Sequence, residues 1–341
     1  MDETILLALL QDGLTTGAIY VLLAVGLLIA FTVTRVIFIP QGDLVSFAAL
    51  TLAAMITHRI PGTIWMLDAL CAVALVLVLV LSLMRGRLKA LLPYGAAPAV
   101  LTLATWAATH YGAPTAVSMI LSLTIVTALG PLLYRFAYEP LGEAPMLALL
   151  IVSMALHFVL IGIALYCFGA EGVSTPALTD ASFDTGPIEV SGQSLCVALV
   201  CVVMVGTLRW FSVRTLYGKA LRAAASDRLS ARLIGVDHAL SGRAAFALAS
   251  FAAAVSGLLI APITLLSYDI GFEIGLKGFV AAVIGGLASY PLAAAGALIV
   301  GLLESFARFW TSEYRNIIVF SLLIPVLIWL SLARGNTEDR A

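Results

Sequence analysis

Apolar stretches of about 20 residues recur along almost the whole of this 341-residue chain, and each can cross a bilayer as a helix. Hydrophobic residues make up 62% of the sequence and charged residues 11%, against about 25% charged residues in soluble domains. Helices satisfy their own backbone hydrogen bonds in lipid, whereas a β-barrel needs short segments of alternating polarity. We therefore predict a single all-α domain, 1–341, that spans the membrane many times and leaves no room for a soluble domain.

The apolar stretches predict about 9–11 transmembrane or re-entrant helices, because the second, fourth and ninth stretches are short. A short apolar stretch can belong to a tilted, broken or re-entrant helix. The candidate spans are 5–33, 43–58, 63–84, 94–111, 115–135, 145–168, 192–211, 243–267, 275–290, 292–310 and 316–333.

Lys and Arg residues collect in alternate loops between these spans, which predicts the orientation of the chain. With the N-terminus outside and the C-terminus cytoplasmic, 14 of the 18 Lys and Arg residues fall in cytoplasmic loops. The segment 169–191 then lies outside, with four acidic residues and no Lys or Arg. Its Gly, Pro, Ser, Thr and Asp residues predict a loop, either a solvated connector or a contact for an external partner.

One cytoplasmic segment, Arg209–Arg243, holds seven of the 18 basic residues. Its central part, 216–235, has the spacing of a helix, with small or short side chains at i, i+4 positions on one face. These positions are Ala223, Asp227, Ala231 and Gly235, and beside them lie Arg222, Arg228 and Arg232. Two interpretations remain open: a helix that docks into a groove of a cytoplasmic partner, or a basic surface helix that contacts lipid headgroups.

Ionisable residues inside apolar stretches are costly, so each is a candidate for function or for pairing. The spacing i, i+4 predicts that Glu273 pairs with Lys277 and Glu304 with Arg308. Asp43 is a candidate cap of the helix that follows it. His157 lies in the middle of a span, and we weigh a packed, hydrogen-bonded histidine against a proton relay.

Glycines in the apolar stretches indicate close contacts between helices, because packing drives helix association in lipid. The pair Gly285 and Gly286, followed by Pro291, has a second interpretation. Broken backbone at membrane depth is tolerated where protein or a cavity surrounds it. The segment 283–291 is therefore also a candidate gate or pathway wall.

The sequence contains no phosphate-binding loop, no H-E-x-x-H motif and no G-x-S-x-G motif. Its four cysteines lie within apolar stretches, which favours buried packing over disulfides or metal binding. We expect no catalytic site, no metal site, no cofactor bound by this chain and no nucleic-acid partner. If ATP drives this protein, ATP is used by partner subunits.

The sequence TLYGKALRAAASDRLSARLIGVD, 215–237, resembles the cytoplasmic coupling segment of branched-chain amino acid ABC transporter permeases of the Liv type. The residues 276–305, LKGFVAAVIGGLASYPLAAAGALIVGLLES, and 13–37 resemble two further blocks of that family. The last apolar stretch resembles the family's last helix. Together these blocks cover most of 10–58 and 115–335 and follow the family's order.

The resemblance implies the membrane-spanning subunit of a bacterial importer in the inner membrane, without enzymatic activity of its own. It implies a second permease, two ATP-binding subunits and an external solute-binding protein, with 212–242 as the coupling loop. The implied ATPase-coupling residues are Gly218, Arg222, Ala223, Asp227, Arg228, Ala231, Arg232 and Gly235. Branched-chain amino acids are the family's usual solutes, and relatives carry urea and amides. The alternative is an ion-coupled secondary transporter that acts without ATPase subunits.

Two departures from the family pattern affect the prediction. The family's Asn-Phe-Ala-His-Gly-Asp/Glu turn is here Phe38-Ile39-Pro40-Gln41-Gly42-Asp43, so the substrate preference is open. We assign Gln41, Gly42, Asp43, Gly285 and Gly286 to the candidate translocation pathway. Second, 61–112 is interpreted as a two-helix insertion, with the basic turn Arg85–Lys89 on the cytoplasmic side.

Overall fold

A computed structural model describes residues 3–85, 92–142, 144–179, 181–184, 189–226, 231, 233, 235–311, 314–321, 324–325 and 328. Its first six helices are α1 (Glu3–Thr34), α2 (Gln41–Ile56), α3 (Gly62–Arg85), α4 (Leu92–Tyr111), α5 (Thr115–Leu133) and α6 (Met146–Phe168). Between α6 and α7 lie strands β1 (Ser182–Asp184) and β2 (Glu189–Ser191). The remaining helices are α7 (Gly192–Arg214), α8 (Leu216–Ser226), α9 (His238–Ile260), α10 (Ile270–Ile284), α11 (Tyr290–Trp310) and α12 (Arg315–Ser321).

Seven helical segments of the described chain are long and apolar enough to cross a membrane. They are Glu3–Thr34, Gly62–Leu79, Thr115–Leu141, Met146–Phe168, Gly192–Arg214, His238–Ile260 and Tyr290–Trp310, and the shorter Gln41–Ile56 is also apolar. The prediction of an all-α polytopic membrane protein is confirmed. The predicted orientation of its two termini stays a prediction.

Helix α1 is the centre of the helix bundle. It packs against α7, α9, α10 and α11, and all but one of its residues from Thr15 to Thr34 are buried. Its 32 residues span about 48 Å at 1.5 Å per residue, which exceeds the roughly 30 Å hydrocarbon core of a bilayer. The helix must therefore tilt or extend beyond the hydrocarbon core.

Glycines bring α1 close to its neighbours, as the sequence indicated. A Cβ at Gly301 of α11 would meet the backbone of Gly17, and a Cβ at Gly13 would meet the backbone of Leu302. Gly26 faces Ala252 of α9 at similarly short range. Because packing rather than water drives helix association in lipid, these contacts let the helices approach to backbone distance.

The β1–β2 hairpin and α8 lie at opposite ends of the bundle, because α7 connects them. We call these the hairpin end and the α8 end. At the hairpin end, the connection after α6 is attached to the connection after α9 by a β-bridge between Val173 and Leu266. Gln193 at the start of α7 donates from Nε2 to the Leu259 carbonyl over 3.0 Å. The segment 169–191 is non-helical in its described part, as predicted.

The predicted insertion, 61–112, forms α3 and α4, which pack against each other and against α5. Thr102 Oγ1 of α4 donates to the Asp68 carboxylate of α3, 2.9 Å from each oxygen. This hydrogen bond satisfies polar groups within the pair. The basic turn that connects the two helices lies outside the described residues, except for the backbone of Arg85. That 61–112 is an insertion stays a prediction.

Candidate translocation pathway and coupling surface

The chain turns back into the bundle between α1 and α2. Helix α1 ends at Thr34, and the next residue, Arg35, has a left-handed backbone conformation with φ 62°. A left-handed residue at this position commonly terminates a helix. After 35–40, Gln41 Nε2 donates to the Leu23 carbonyl of α1 over 3.0 Å. Leu23 precedes the end of α1 by 11 residues, or about 16 Å of helix. Helix α2 therefore begins inside the bundle, level with the middle of α1.

Helix α2 approaches α10 through glycine contacts. A Cβ at Gly42 would meet the Gly271 carbonyl oxygen at 2.5 Å and the Gly275 Cα at 3.0 Å. Ser46 Oγ accepts a hydrogen bond from the Gly271 N–H over 2.9 Å. The start of α2 and the start of α10 are thus in backbone contact at Gly42, where only a hydrogen atom fits.

Asp43 pairs with His157 of α6, in the interior of the protein. His157 Nδ1 lies 2.9 Å from each carboxylate oxygen of Asp43, and the two residues are 2% and 3% exposed. The His157 ring also stacks on Phe272 of α10, with ring centroids 4.2 Å apart. The expected capping role of Asp43 is wrong, since the cap of α2 is Pro40 and α2 has no side-chain cap. His157 is a packed, hydrogen-bonded histidine.

A cavity of about 210 Å³ lies between α1, the turn before α2, α6 and α10. Gln41 and Gly42 line it, together with apolar side chains that include Leu23, Leu150, Phe272 and Phe279. Among the described residues at its wall, Gln41 has the only polar side chain. The cavity thus lies where the predicted pathway turn meets two other helices.

Gly285 and Gly286 are not at this cavity. They follow the last residue of α10, Ile284, whereas Phe279 is the last residue of α10 at the cavity wall. Gly286 has φ 65°, and a Cβ at Gly285 would meet the Ala293 backbone N at 2.6 Å. The predicted break in the helix is present at 285–289, where it connects α10 tightly to α11. The predicted pathway residues therefore do not form one site, because Gly285 and Gly286 lie away from the cavity that Gln41 and Gly42 line.

An ion-pair network joins α1, α10 and α11 towards the hairpin end. Lys277 Nζ lies 2.6 Å from Glu304 Oε1 and 2.8 Å from Glu273 Oε1. Tyr20 OH of α1 donates to Glu304 Oε2 over 2.5 Å. Arg308 contacts Glu304 at 3.3 Å. Both predicted i, i+4 pairs are confirmed, and the Lys277–Glu304 pair between helices was not foreseen.

Two outer contacts complete the network: Arg308 lies 3.6 Å from Asp12, and Arg315 of α12 lies 3.6 Å from Glu273. Its three cations therefore face three anions. Charges that are costly in lipid are thus paired inside the bundle, and the described geometry favours a structural role over ion transport.

Helix α8, in the predicted coupling segment, begins with a capped turn. Gly218 N donates to Thr215 Oγ1 over 3.0 Å, which satisfies an N–H group of the first turn. A Cβ at Gly218 would overlap the Phe211 carbonyl and meet the Ser212 Cα at 2.6 Å. The spacing Thr-x-x-Gly therefore lets α8 fold back closely onto the end of α7.

The small residues of the coupling segment face their own chain more than solvent. Gly218 and Ala231 are buried and Ala223 is half-buried, whereas Arg222 is exposed. Gly235 is exposed with φ 88°, and Val236 N donates to the Ala231 carbonyl over 3.0 Å. That pattern is a helix-terminating turn in which glycine avoids strain. Asp227, Arg228 and Arg232 lie outside the described residues.

The expectation that the stripe of small residues forms a contact face is therefore corrected at Ala231, which is buried. Gly218, an implied coupling residue outside that stripe, is covered by the end of α7. The exposed surface is formed by other side chains: Leu216 is 82% exposed, Tyr217 71% and Leu233 81%. Lys219 is exposed beside them. An apolar and basic surface at the α8 end can bury aromatic and aliphatic groups against a partner. That this surface couples to an ATPase stays a prediction.

Next to this surface, the end of α5 unwinds into a π-helical turn, Tyr134–Tyr138, and a 3₁₀ turn, Glu139–Leu141. Arg243 of α9 holds this end by two hydrogen bonds to the Glu139 carboxylate, of 2.8 and 2.5 Å. Bidentate pairs of this kind fix geometry as well as distance. A groove of about 460 Å³ separates the unwound end of α5 from 235–239.

Several contacts between helices could not be predicted from the sequence. The Asp43–His157 and Lys277–Glu304 pairs join helices that are far apart in the chain, and spacing predicts only pairs within one helix. The close approach of α10 to another helix could have been predicted from Gly271 and Gly275, since small residues at i, i+4 indicate close helix contact.

The chain matches the family model described as branched-chain amino acid transport system / permease component over residues 9–327. It is 27% identical over 334 residues to the high-affinity branched-chain amino acid transport system permease protein BraD of Pseudomonas aeruginosa. That match covers 94% of this chain and 92% of BraD. The corresponding LivH proteins of Salmonella typhimurium and Escherichia coli K12 are each 30% identical, over 221 and 215 residues. These matches cover 62% and 61% of this chain and 71% and 70% of the LivH proteins.

Proposed function

Because the chain belongs to the family of branched-chain amino acid transport system permease components, we propose that it imports branched-chain or related amino acids as part of an ATP-driven complex. It is a transport subunit and a multi-pass membrane protein. Membership in this family favours the importer over the ion-coupled secondary transporter. The family match over 9–327 is the single observation that carries the proposal.

In the complex, this chain pairs with a second permease, and two ATP-binding subunits dock at the α8 end. A solute-binding protein delivers the amino acid at the hairpin end, which faces outwards in the bacterial inner membrane. The charge of the loops supports this orientation, because the α8 segment is rich in Lys and Arg. Neither ATP nor another cofactor binds to this chain in this proposal.

The coupling surface consists of exposed apolar side chains with Arg222 and Lys219 beside them. Closure of the ATP-binding subunits moves α8. Because α8 packs onto the end of α7 through Gly218, the movement reaches a membrane helix directly. Packed helices transmit such displacements as rigid elements.

The test is purification of the tagged chain from native membranes, followed by reconstitution into liposomes. We expect two ATP-binding-cassette chains to copurify, and radiolabelled leucine uptake to require internal ATP and the external binding protein. Uptake by this chain alone, driven by a proton or sodium gradient, would instead establish the secondary transporter. A competitor panel with isoleucine, valine, urea and acetamide identifies the solute class.

A further inference from the structure

Helices α3 and α4 carry a carboxylate on a surface that is otherwise apolar. Asp68 is the only Asp, Glu, Lys or Arg between Arg59 and Arg85. Among the described residues, its hydrogen-bond partner is the neutral hydroxyl of Thr102, and no Lys or Arg pairs with it. A charge without a counter-charge is costly in a membrane and usually marks a site of function or pairing.

An open groove of about 450 Å³ lies between α3 and α4, and Asp68 forms part of its wall. Asp68 is half-buried, so the groove does not enclose it. Ala72 of α3 and Ala99 of α4 also line the groove, and both are exposed. Small side chains at such a surface let another helix approach closely in lipid.

The flanks of the groove are exposed and apolar. Val73 and Val76 of α3 are 51% and 56% exposed, and Val100 of α4 is 64% exposed. The surface around Asp68 therefore faces either lipid or the apolar surface of another membrane helix, because water is excluded at this depth.

The depth of Asp68 distinguishes a helix from a lipid headgroup as its partner. Helix α3 begins at the hairpin end, since a Cβ at Gly62 would meet the side chain of Cys167, next to the last residue of α6. Trp65 of α3 is 61% exposed, and exposed Trp and Tyr side chains lie at the headgroup level. Asp68 lies one turn further along α3, about 4.5 Å deeper.

The same relation holds on α4. Trp106 is 49% exposed, and Thr102 lies one turn before it, away from the hairpin end where α4 finishes. The carboxylate and its hydroxyl partner thus lie beneath the headgroup amines. A Lys or Arg side chain of a neighbouring helix reaches this depth, because its long apolar stem can lie along the helix surface.

We propose that this groove is a docking site for a transmembrane helix of another subunit that carries a Lys or Arg at the level of Asp68. The cationic group pairs with the carboxylate while Thr102 keeps its hydrogen bond, and the apolar face of the helix packs on Ala72 and Ala99. Pairing removes the cost of an isolated charge in lipid. The site lies outside the blocks 13–37, 215–237 and 276–305 that carry the family resemblance, and apart from the coupling surface.

The experiment measures association of the full chain with synthetic transmembrane peptides in phosphatidylcholine liposomes, by energy transfer between a donor dye on the chain and an acceptor dye on the peptide. Each peptide has about 20 apolar residues. One position near the Asp68 level carries lysine, norleucine or glutamate, so that charge changes while the rest of the helix is constant.

Two variants of the chain test the two parts of the site. Asp68→Asn removes the charge at nearly constant volume, and Ala72→Phe fills the groove. The control Val73→Phe changes the neighbouring exposed position, which does not line the groove. All variants are compared at equal amounts of inserted, monodisperse protein.

We expect the lysine peptide to associate about tenfold more tightly than the norleucine peptide, as a hydrogen-bonded contact between charged groups implies. The glutamate peptide should associate more weakly than either. Asp68→Asn should abolish the preference for lysine over norleucine. Ala72→Phe should weaken association of the lysine peptide, and Val73→Phe should leave it unchanged.

Equal association of the lysine and norleucine peptides with the wild-type chain would overturn the inference, as would a preference for lysine that persists in Asp68→Asn. If Asp68→Asn does not insert, the three peptides on the wild-type chain and the two phenylalanine variants still decide the outcome.

Two other occupants would also overturn it, each with its own signature. Asp68-dependent energy transfer between two labelled copies of the chain, without a preference for the lysine peptide, would assign the groove to a second copy. Asp68-dependent retention of phosphatidylethanolamine in native mass spectra, again without that preference, would assign it to a lipid. Because no readout involves transport, failure of the proposed function leaves these outcomes unchanged.

Discussion

Lys277 Nζ lies 2.6 Å from Glu304 Oε1, and the two side chains are only 2% and 3% exposed. This ion pair joins α10 to α11. Lys277→Met leaves Glu304 without its closest cation, and loss of one partner of a buried pair costs about 3 kcal/mol. We expect that decrease in the free energy of unfolding, measured by denaturant titration in mixed micelles, and partial recovery when Glu304→Gln is added.

The control for this prediction is Arg315→Met. Arg315 lies 3.6 Å from Glu273 with both side chains about one-third exposed, and exposed pairs contribute about 0–1 kcal/mol. Similar losses for Arg315→Met and Lys277→Met would show that the buried pair has no special role in stability.

Gly218 determines how closely α8 packs onto α7. In Gly218→Ala the added Cβ overlaps the Phe211 carbonyl, so α8 must shift, and overpacking costs about 1–3 kcal/mol. We expect lower leucine uptake per inserted protein, together with a lower melting temperature. Gly206→Ala in α7 is the matched control, because nothing lies within 4 Å of its added Cβ. A normal rate of uptake by Gly218→Ala would contradict a coupling role for this contact.

The arginines of the coupling segment are tested together. The triple variant Arg222→Ala, Arg228→Ala, Arg232→Ala should insert normally but hydrolyse ATP with little uptake, because the partner loses its charge contacts. Arg214→Ala, at the exposed end of α7, controls for loss of positive charge at the same end. The measurement is the ratio of ATP hydrolysed to leucine imported in proteoliposomes. Full transport by the triple variant would exclude this role.

The orientation of the chain in the membrane can be tested by labelling single cysteines with a membrane-impermeant maleimide. The two labelling variants are Tyr217→Cys at the α8 end and Phe183→Cys in the hairpin. The native side chains at these positions are 71% and 56% exposed. In intact cells we expect labelling of Phe183→Cys only, and in inverted vesicles of Tyr217→Cys only. The background chain lacks its four native cysteines. The reverse pattern would place the coupling surface outside and refute the proposed ATPase docking.

Contacts within one helix could be predicted from spacing, as the Glu273–Lys277 and Glu304–Arg308 pairs show. A helix repeats every 3.6 residues, so residues four apart meet wherever the helix lies. The break after Ile284 was likewise predictable, because the glycine pair and Pro291 disfavour a continuous helix.

The candidate site was predictable only in part. Gln41 and Gly42 were assigned to the pathway from their place in the family turn, and they do line the cavity. Phe272 and Gly275 were not assigned, since they reach the cavity through the packing of α10 against α2. In the coupling segment, the periodicity assigned Ala223, Ala231 and Gly235 to one face but did not show that Ala231 would be buried and Gly235 exposed.

By itself, the sequence determined that this chain is a helical membrane protein, because long apolar stretches have no other stable state in lipid. It also determined where most helices begin and end and which loop concentrates positive charge. Only the tertiary structure decided that Asp43 meets His157, that Lys277 meets Glu304 and that the buried Gln41 Oε1 has no hydrogen-bond partner among the described residues. Those contacts depend on how helices distant in the chain pack together, and a local sequence pattern contains no measure of that packing.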